Sequence, residues 1–490
     1  MNDLVNIQYN RAKQELNGSL YAPYQTDGVF WMLSMENQTM GPRGGFLCDE
    51  MGLGKTVQVV STILGNPKSR SLIVVPKSII TQWKDEITKF APQLSVHVFD
   101  GPMRNENANL EMMRSASIVI SPYSVLIKHS ELHRIEWDRV VLDEAHEIRN
   151  KSSATYKSMC KLVSPIRWVV TGTPVFNSMK DFVSLCKFIG VPQNLIQGRT
   201  SQIKDLYILR RTKRDVAVMD TRLELPTCYF ENVELEMYEG EKNLYNFAFM
   251  EIQNKLREIF ANSVSLNSKN MLILECLLRA RQCMIWPQMY LSGIAKQYGV
   301  EAEKWNGKSK KMETLFNMLE GHSNEKSLVF CQFMGEMKHI QKTLKQKGIP
   351  VFRIDGTVSK ENRDKQIELF RRAPGNAVFI IQIKSGGQGL NLQEATRVYI
   401  MSPSWNPATE LQAIGRSHRS GQDKPVHVKK LFYKRTEEFV SVEEEMMALQ
   451  AHKSVLCAEI LNDERLKTQI PFSRISKKIK ILDIKKIFTA

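Results

Sequence analysis

The sequence predicts an α/β protein built from two tandem units, each with a parallel sheet. Short apolar runs that alternate with helix-like stretches are typical of parallel strands covered by helices on both faces. A first set of four such runs lies at 71–76, 116–121, 139–143 and 167–171, and a second set of five lies at 327–330, 350–353, 377–381, 397–401 and 426–429. Because a long stretch without such runs separates the two sets, we expect two sheets rather than one.

The stretch between the two sets predicts a helical insertion. Residues 237–278 contain few glycines and prolines, and Leu, Ile, Met and Phe recur there at helical spacing. We find no strand signal between about 205 and 305, and a further helix is predicted from 436 to 461. The predicted domains are an N-terminal lobe at 1–205, the insertion and inter-lobe segment at 206–305, a C-terminal lobe at 306–435, and a C-terminal helix with a basic tail at 436–490.

Composition narrows the class of protein before any motif is considered. With 68 basic against 52 acidic residues the net charge is +16, which favours a polyanionic partner. The eight cysteines form no C-x-x-C pair, so we expect a reducing, intracellular environment and neither a zinc site nor a disulfide framework. The sequence contains no apolar run of about 18 residues, so we expect no membrane span. The amino terminus lacks the pattern of a secretory signal.

The segment Asp49-Glu50-Met51-Gly52-Leu53-Gly54-Lys55-Thr56 is the most informative motif in the chain. Glycines followed by Lys-Thr at the start of a helix form a phosphate-binding loop, in which backbone N–H groups and the helix dipole hold the anion. Lys55 would reach the β- and γ-phosphates, and the Thr56 hydroxyl would bind Mg²⁺. The general pattern G-x-x-x-x-G-K-[ST] is not matched, because Asp49 occupies its first glycine position.

Two adjacent carboxylates follow the apolar run 140–142. Asp143, at the end of a predicted strand, can hold Mg²⁺ through water, and Glu144 can orient and deprotonate an attacking water. An isolated Asp-Glu-Ala-His string could instead be a helix amino terminus that favours acidic residues. Because the string follows a predicted strand and lies downstream of a phosphate loop, a role of its carboxylates in hydrolysis of a phosphoanhydride is favoured.

A third motif lies in the second unit, at residues 412–422. Arg416 and Arg419 are three residues apart, which would place them on one face of a helix. Two guanidinium groups can hold a γ-phosphate and stabilise charge in the transition state. A solvated basic helix face is the alternative. If the catalytic interpretation holds, the site is complete only when both units close on one nucleotide.

Together these motifs resemble the Swi/Snf-type ATPases of helicase superfamily two, from about Tyr24 to Leu461. The resemblance implies two RecA-like lobes, ATP and Mg²⁺ as ligands, Gln25 as the adenine contact, and Gln412 beside the two arginines in the catalytic set. It is carried by residues 24–32, 49–56, 75–86, 142–150, 171–177, 209–226, 281–287, 355–363, 386–392, 405–407 and 412–422. The chain departs from the family pattern at 284–286 and 401–404, away from the phosphate chemistry.

The resemblance also implies that duplex DNA lies across both lobes and is followed along one strand. Phosphate contacts position such a duplex without reading its sequence. We expect an ATP-driven translocase on double-stranded DNA, acting in chromatin remodelling, DNA repair, fork remodelling or transcription. The candidate contacts are Lys77, Ser121, Thr171, Lys384, Ser385, Gly386 and Gly387, although Ser121 could only cap a turn and Lys77 could only be solvated.

Several expectations about partners and setting stay open at this stage. The alternative function is a strand-separating helicase that acts on RNA or single-stranded DNA. A non-enzymatic scaffold is disfavoured, because the residues of the predicted ATP site are all present: Lys55, Thr56, Asp143, Glu144, Arg416 and Arg419. We expect a monomeric motor, with nucleosomes or other proteins as further partners. We expect it in the nucleus if the source is eukaryotic, and a virus is an alternative source. The basic tail could be a second DNA contact, a nuclear localisation signal or a solvated terminus.

Overall fold

The computed structural model describes residues 2–20, 23–127, 130–172, 179–198, 200–219, 224–261, 266–322, 324–383, 390–419 and 421–461. Its chain divides into two compact units, the first built mainly from residues 1–225 and the second mainly from residues 226–452. The first unit thus ends about twenty residues after residue 205, where the N-terminal lobe is predicted to end, and the domain bounds stay a prediction. Each unit has its own sheet.

The first unit contains a parallel sheet of seven strands in the order β3-β4-β2-β5-β6-β1-β7. Every residue of its central strand at Ser71–Val75 is buried, as expected where helices cover both faces. The strands are β1 Arg43–Leu47, β2 Ser71–Val75, β3 Val96–Val98, β4 Ile118–Pro122, β5 Arg139–Asp143, β6 Ile166–Val170 and β7 Ile208–Leu209.

The second unit contains a parallel sheet of six strands in the order β10-β11-β9-β12-β13-β8. Its strands are β8 Cys228–Leu235, β9 Lys326–Cys331, β10 Val351–Ile354, β11 Val378–Gln382, β12 Ala395–Ile400 and β13 Val426–Tyr433. The expectation that 205–305 lacks strands is wrong, because β8 pairs with β13 along its whole length. Its edge position leaves Tyr229 and Phe230 half exposed, so it lacks the continuous apolar run that marks a central strand.

Helices flank both sheets, and four of the described helices lie in the predicted insertion and inter-lobe segment at 206–305. The helices are α1 Asn2–Glu15, α2 Tyr24–Glu36, α3 Lys55–Gly65, α4 Ile80–Phe90, α5 Asn107–Ser115, α6 Tyr123–Ile127, α7 Ala154–Met159, α8 Met179–Ile189, α9 Gln193–Gly198, α10 Thr200–Tyr207, α11 Lys213–Met219, α12 Glu239–Ala261, α13 Leu266–Ile285, α14 Pro287–Tyr298, α15 Lys310–Gly321, α16 Met334–Gln346, α17 Lys360–Arg372, α18 Pro407–Ile414 and α19 Val442–Leu461. The last helix begins at Val442 and not at residue 436, because Thr436 and Phe439 pair with each other in a turn. Within the described ranges, no helix is both long and apolar enough to cross a membrane.

A buried ion pair joins the end of α2 to the start of β5 in the first unit. Arg139 Nε donates to Glu36 Oε1 at 2.6 Å, and the two side chains are 1% and 0% exposed. Trp168 Nε1 donates to Glu36 Oε1 at 2.9 Å, and Asn66 Nδ2 donates to Glu36 Oε2 at 2.7 Å. Glu36 thus accepts from three side chains that belong to separate elements, so it connects a helix to the sheet.

We expect Glu36→Gln to destabilise the first unit by about 3–5 kcal/mol, because Arg139 would remain buried without its counter-charge. The matched control is Glu15→Gln, which removes the exposed Arg11–Glu15 pair and should cost less than about 1 kcal/mol. Urea unfolding followed by tryptophan fluorescence measures both changes. Equal shifts for the two variants would contradict the role given to the buried pair.

Candidate nucleotide-binding site

The predicted phosphate loop lies between the end of β1 at Leu47 and the start of α3 at Lys55. Gly52 and Gly54 have φ angles of 95° and 70°, a region that residues with a Cβ rarely adopt. A Cβ on Gly54 would also lie 2.4 Å from Nε2 of Gln25, so a larger residue does not fit. The loop therefore needs both glycines, and it ends at a helix amino terminus where backbone N–H groups can hold an anion.

Lys55 is folded back over the loop that precedes it. Its Nζ donates to the carbonyl oxygens of Asp49 at 2.9 Å and Glu50 at 3.4 Å. A Cβ on Gly172 would lie 2.8 Å from the same Nζ, so the segment after β6 closes directly on the lysine. The ammonium group thus lies at the carboxyl edge of the sheet, where ligands bind in open parallel sheets. Thr56 follows in the first turn of α3, half-buried.

Asp49 holds the loop in place through its carboxylate. The side chain is fully buried, and Oδ1 accepts from the backbone N of Arg211 at 3.1 Å and from its Nε at 2.9 Å. Oδ2 accepts from Nη2 of Arg211 and from Nε2 of Gln58 at 3.0 Å. Asp49 is a predicted nucleotide contact, and its carboxylate is held by Arg211 and Gln58. A charged residue in a glycine position is the signal that a buried cation must lie nearby.

The chain around Arg211 runs along the loop and fixes more of it. Glu50 N donates to Arg211 O at 2.8 Å, and Glu50 Oε2 accepts from Lys213 N at 2.8 Å. Leu53 packs in a small cluster with Tyr24 and Val216. The sequence analysis placed 209–213 only in an inter-lobe segment, whereas the structure makes it the support of the phosphate loop.

Gln25, the expected adenine contact, lies at the start of α2 and is 3% exposed. Its Nε2 donates to Leu53 O at 3.2 Å and to the Tyr24 hydroxyl at 3.2 Å. The side chain therefore lies against the phosphate loop and contacts it at the carbonyl oxygen of Leu53. The adenine contact itself stays a prediction.

Asp143 ends β5, two strands away from β1 in the same sheet. Its Oδ2 accepts from Trp83 Nε1 at 2.7 Å and its Oδ1 from the backbone N of Glu144 at 2.9 Å. Burial, followed by the charge of Glu144, raises the pKa of Asp143 to about 6, while Trp83 and Lys55 oppose that rise. A carboxylate whose pKa is raised by a neighbouring carboxylate is a place where a cation is stabilising.

Glu144 has a left-handed backbone, with φ of 49°, and is the single non-glycine residue with positive φ in the described ranges. Such a conformation costs on the order of 1–3 kcal/mol and is typical of functional sites. Oε2 of Glu144 lies 3.4 Å from Nδ1 of His146. Burial lowers the pKa of His146, but the hydrogen bond and the charges of Glu144 and Glu147 outweigh it and leave that pKa raised.

The second-unit motif differs from its predicted geometry. Gln412 lies on α18, but the helix ends at Ile414, so Arg416 and Arg419 are not on one helical face. The backbone leaves the helix because Arg416 O accepts from Leu392 N at 3.0 Å and the Ser417 hydroxyl donates to Ala395 O. Arg416 is 3% exposed. Both arginines are therefore placed by a turn that is tied to the segment before β12.

The predicted nucleic-acid contacts fall into three groups. Ser121 is fully buried and its hydroxyl donates to Phe99 O at 3.1 Å, an arrangement that does not support a phosphate contact. Lys77 is exposed and lies 3.2 Å from Asp100, and Thr171 is buried beside Gly172 with its N donating to Leu47 O at 3.1 Å. Lys384, Ser385, Gly386 and Gly387 lie outside the described residues, as does 173–178.

A parallel sheet with a glycine-bearing phosphate loop after β1 and two carboxylates after β5 defines a nucleotide-binding protein of the phosphate-loop class. Comparison with known families narrows this class. Residues 24–195 match the SNF2-related domain, and residues 310–421 match the helicase conserved C-terminal domain. The chain belongs to the SNF2 family of helicase-like ATPases, and its two sheets are the two RecA-like lobes of that family, as predicted.

The curated relatives agree with this family. A putative ATP-dependent helicase/translocase of Bacillus subtilis, YwqA, is 29% identical over 95% of this chain and 51% of its own length. An uncharacterized ATP-dependent helicase of Mycoplasma pneumoniae is 31% identical over 90% of this chain and 42% of its own length. The Sulfolobus solfataricus SWI2/SNF2 ATPase core in complex with dsDNA is 27% identical and covers 93% of this chain and 96% of that chain, with a TM-score of 0.41. The chain spans about half the length of the curated relatives it matches.

Proposed function

We propose that this chain is an ATP-hydrolysing motor that translocates on double-stranded DNA. The observation that carries the proposal is the convergence of the phosphate loop, Lys55 and the Asp143–Glu144 pair at the carboxyl edge of one sheet in a chain of the SNF2 family. The net charge of +16 supports a polyanionic partner. Membership of the family and this charge together favour duplex DNA.

The side chains of the first unit have separate roles in binding and hydrolysing ATP. The backbone N–H groups of the loop and Lys55 hold the phosphates, and Gln25 is the proposed adenine contact. Hydroxyl and carboxylate oxygens are the ligands that Mg²⁺ prefers, so Thr56 and Asp143 fit this cation, which would neutralise phosphate charge when bound. Glu144 orients the attacking water and accepts its proton.

The second unit contributes the cationic groups of the reaction. Gln412, Arg416 and Arg419 are the proposed catalytic residues there, and the two guanidinium groups stabilise charge on the γ-phosphate as its bond breaks. Hydrolysis removes the contact between the γ-phosphate and these guanidinium groups, so the affinity of the motor for DNA changes with each cycle. Lys77 and the segment 384–387 are the proposed phosphate contacts to the duplex.

ATP hydrolysis measured with no nucleic acid, single-stranded DNA, duplex DNA and RNA tests this function. We expect strong stimulation by duplex DNA that weakens from about 50 to 200 mM salt, because phosphate binding releases counterions. The Lys55→Ala chain is the control and should not respond. Stimulation by RNA or single strands alone would favour the strand-separating helicase instead.

We expect Arg419→Ala to lower ATP turnover by about 10³-fold or more, the range found when an arginine that stabilises transferred phosphate is removed. DNA binding should persist, because the change lies in the proposed catalytic set and not among the DNA contacts. Steady-state hydrolysis with saturating duplex DNA measures the first effect, and fluorescence anisotropy the second. Arg397→Ala, which removes an ion pair with Glu325, is the matched control, and an unchanged ATPase rate in Arg419→Ala would remove that residue from the mechanism.

A further inference from the structure

A groove in the second unit combines aromatic rings with basic side chains. It lies over α15 and α16 and includes four rings, those of Trp286, Trp305, Phe316 and His339. We call it the lysine–aromatic groove. None of these residues belongs to the motifs that define the nucleotide site.

The rings of the groove are held in place by contacts within the same unit. Trp286 and His339 stack at 3.9 Å between ring centroids with an interplanar angle of 19°. Gln288, in α14, holds the segment that contains Trp305. Its Oε1 accepts from Trp305 N at 2.6 Å and its Nε2 donates to Glu303 O at 2.8 Å. A ring set that is fixed before a ligand binds loses little conformational freedom on binding.

The groove is mainly positively charged. It is lined by five lysines, at 304, 308, 338, 342 and 347, against the single acidic residue Glu313. Glu313 accepts a hydrogen bond from the Tyr238 hydroxyl, and Lys347 pairs with Glu320 at 2.5 Å. Lys304, Lys338 and Lys342 are exposed and make no ion pair within the described ranges. Burial and the nearby Lys342 lower the pKa of His339, so it contributes a ring and not a charge near neutral pH.

The groove and the catalytic arginines lie on opposite faces of the second sheet. Leu328 and Phe330 of β9 pack with Ala413 and Ile414, the end of the helix that leads to Arg416. The alternate residues of β9, such as Val329, pack with α15 and α16. Because side chains alternate across a strand, α18 and the groove helices cover different faces. A ligand in the groove would therefore not compete with the γ-phosphate for Arg416.

We propose that the lysine–aromatic groove binds single-stranded nucleic acid as a second site, separate from the duplex-binding motor. Lysines that track a phosphate backbone, together with rings on which bases stack, are the combination found in single-strand sites. An acidic peptide would satisfy the lysines but would make little use of four rings. A duplex buries its bases and offers the rings nothing to stack on. The groove thus fits a displaced or unpaired strand.

Binding of a labelled oligo-dT of about 15 nucleotides to the full chain tests this site. Unlabelled duplex DNA is present in excess, so that the proposed motor site is filled. We expect residual oligo-dT binding that weakens with salt and falls about tenfold or more in the double variant Lys338→Glu/Lys342→Glu, since each change removes a phosphate contact and adds repulsion. The double variant Lys13→Glu/Lys68→Glu, at two exposed lysines of the other unit, makes the same two charge reversals as a control and should leave affinity unchanged.

A second measurement uses the wild-type chain and needs no variant. Lysine acetylation read by mass spectrometry should show protection of Lys338 and Lys342 when oligo-dT is added to the duplex-bound protein.

Duplex-stimulated ATPase activity should be the same in the double variant as in the wild type, which separates this site from the motor. Complete displacement of oligo-dT by duplex, or competition by a glutamate-rich peptide with no binding of oligo-dT, would overturn the proposal.

Discussion

The Glu144→Gln chain is expected to bind ATP and duplex DNA but to hydrolyse ATP at least about a hundredfold more slowly than the wild type. A positioned general base contributes about 10²–10⁴-fold to a reaction, and glutamine keeps the size of the side chain while removing its basicity. Glu144 is the proposed base; it has a left-handed backbone and lies next to the half-buried Asp143. Steady-state hydrolysis and filter binding of ATP measure the two parts of the prediction.

The neighbouring acid Glu147 provides a matched control for this variant. Its carboxylate is 47% exposed and lies 3.9 Å from His146, on the 3₁₀ turn that follows Glu144. Glu147→Gln therefore makes the same chemical change three residues away and should leave turnover within a few-fold of the wild type. Normal turnover in Glu144→Gln would refute its role as the base, and equal losses in both variants would indicate a structural effect on the turn.

Arg211→Met is expected to lose ATP affinity and to destabilise the first unit together. The change leaves the Asp49 carboxylate buried without its cation, and breaking a buried pair in this way costs about 3–5 kcal/mol. Because Asp49 and Glu50 set the path of the phosphate loop, we expect ATP to bind at least about tenfold more weakly. Urea unfolding and nucleotide titration measure the two effects.

A double-mutant cycle separates the ion pair from the packing of its two side chains. In Asp49→Asn/Arg211→Met neither partner leaves an uncompensated charge, so the double variant should be more stable than Arg211→Met alone. Simple additivity of the two single changes would show that the pair does not act as a unit. Arg210→Met, which removes the neighbouring guanidinium, is the control; Arg210 Nη1 donates to the carbonyl oxygen of Cys48 at 3.3 Å.

Much of the fold follows from local sequence. The nine apolar runs correspond to nine strands of two parallel sheets, and eight of these strands lie in the interior of their sheet. Of the four described strands without such a run, β1 is an interior strand of five residues that includes two glycines, and the other three are short or lie at a sheet edge. β3 and β7 contain three and two residues, and β8 is exposed along one side. Such strands are fixed by pairing with a neighbour rather than by their own apolar content.

The site shows the same division between local and long-range information. The glycines and Lys55 are set by the turn into α3, so a local motif predicts them. The partner of Asp49 is Arg211, which is 162 residues away along the chain, and only the pairing of β7 with β1 brings it there. The turn that ends α18 depends in the same way on Leu392, so residue spacing alone predicted the wrong geometry for Arg416 and Arg419.

Displacement of a third strand from a triplex by the full chain tests the central claim most directly. A motor that translocates on duplex DNA should remove the third strand when ATP is present and leave the two duplex strands paired. The Glu144→Gln chain should bind the same substrate and displace nothing. A duplex-stimulated ATPase that never removes the third strand, or one that separates the duplex strands, would contradict the account.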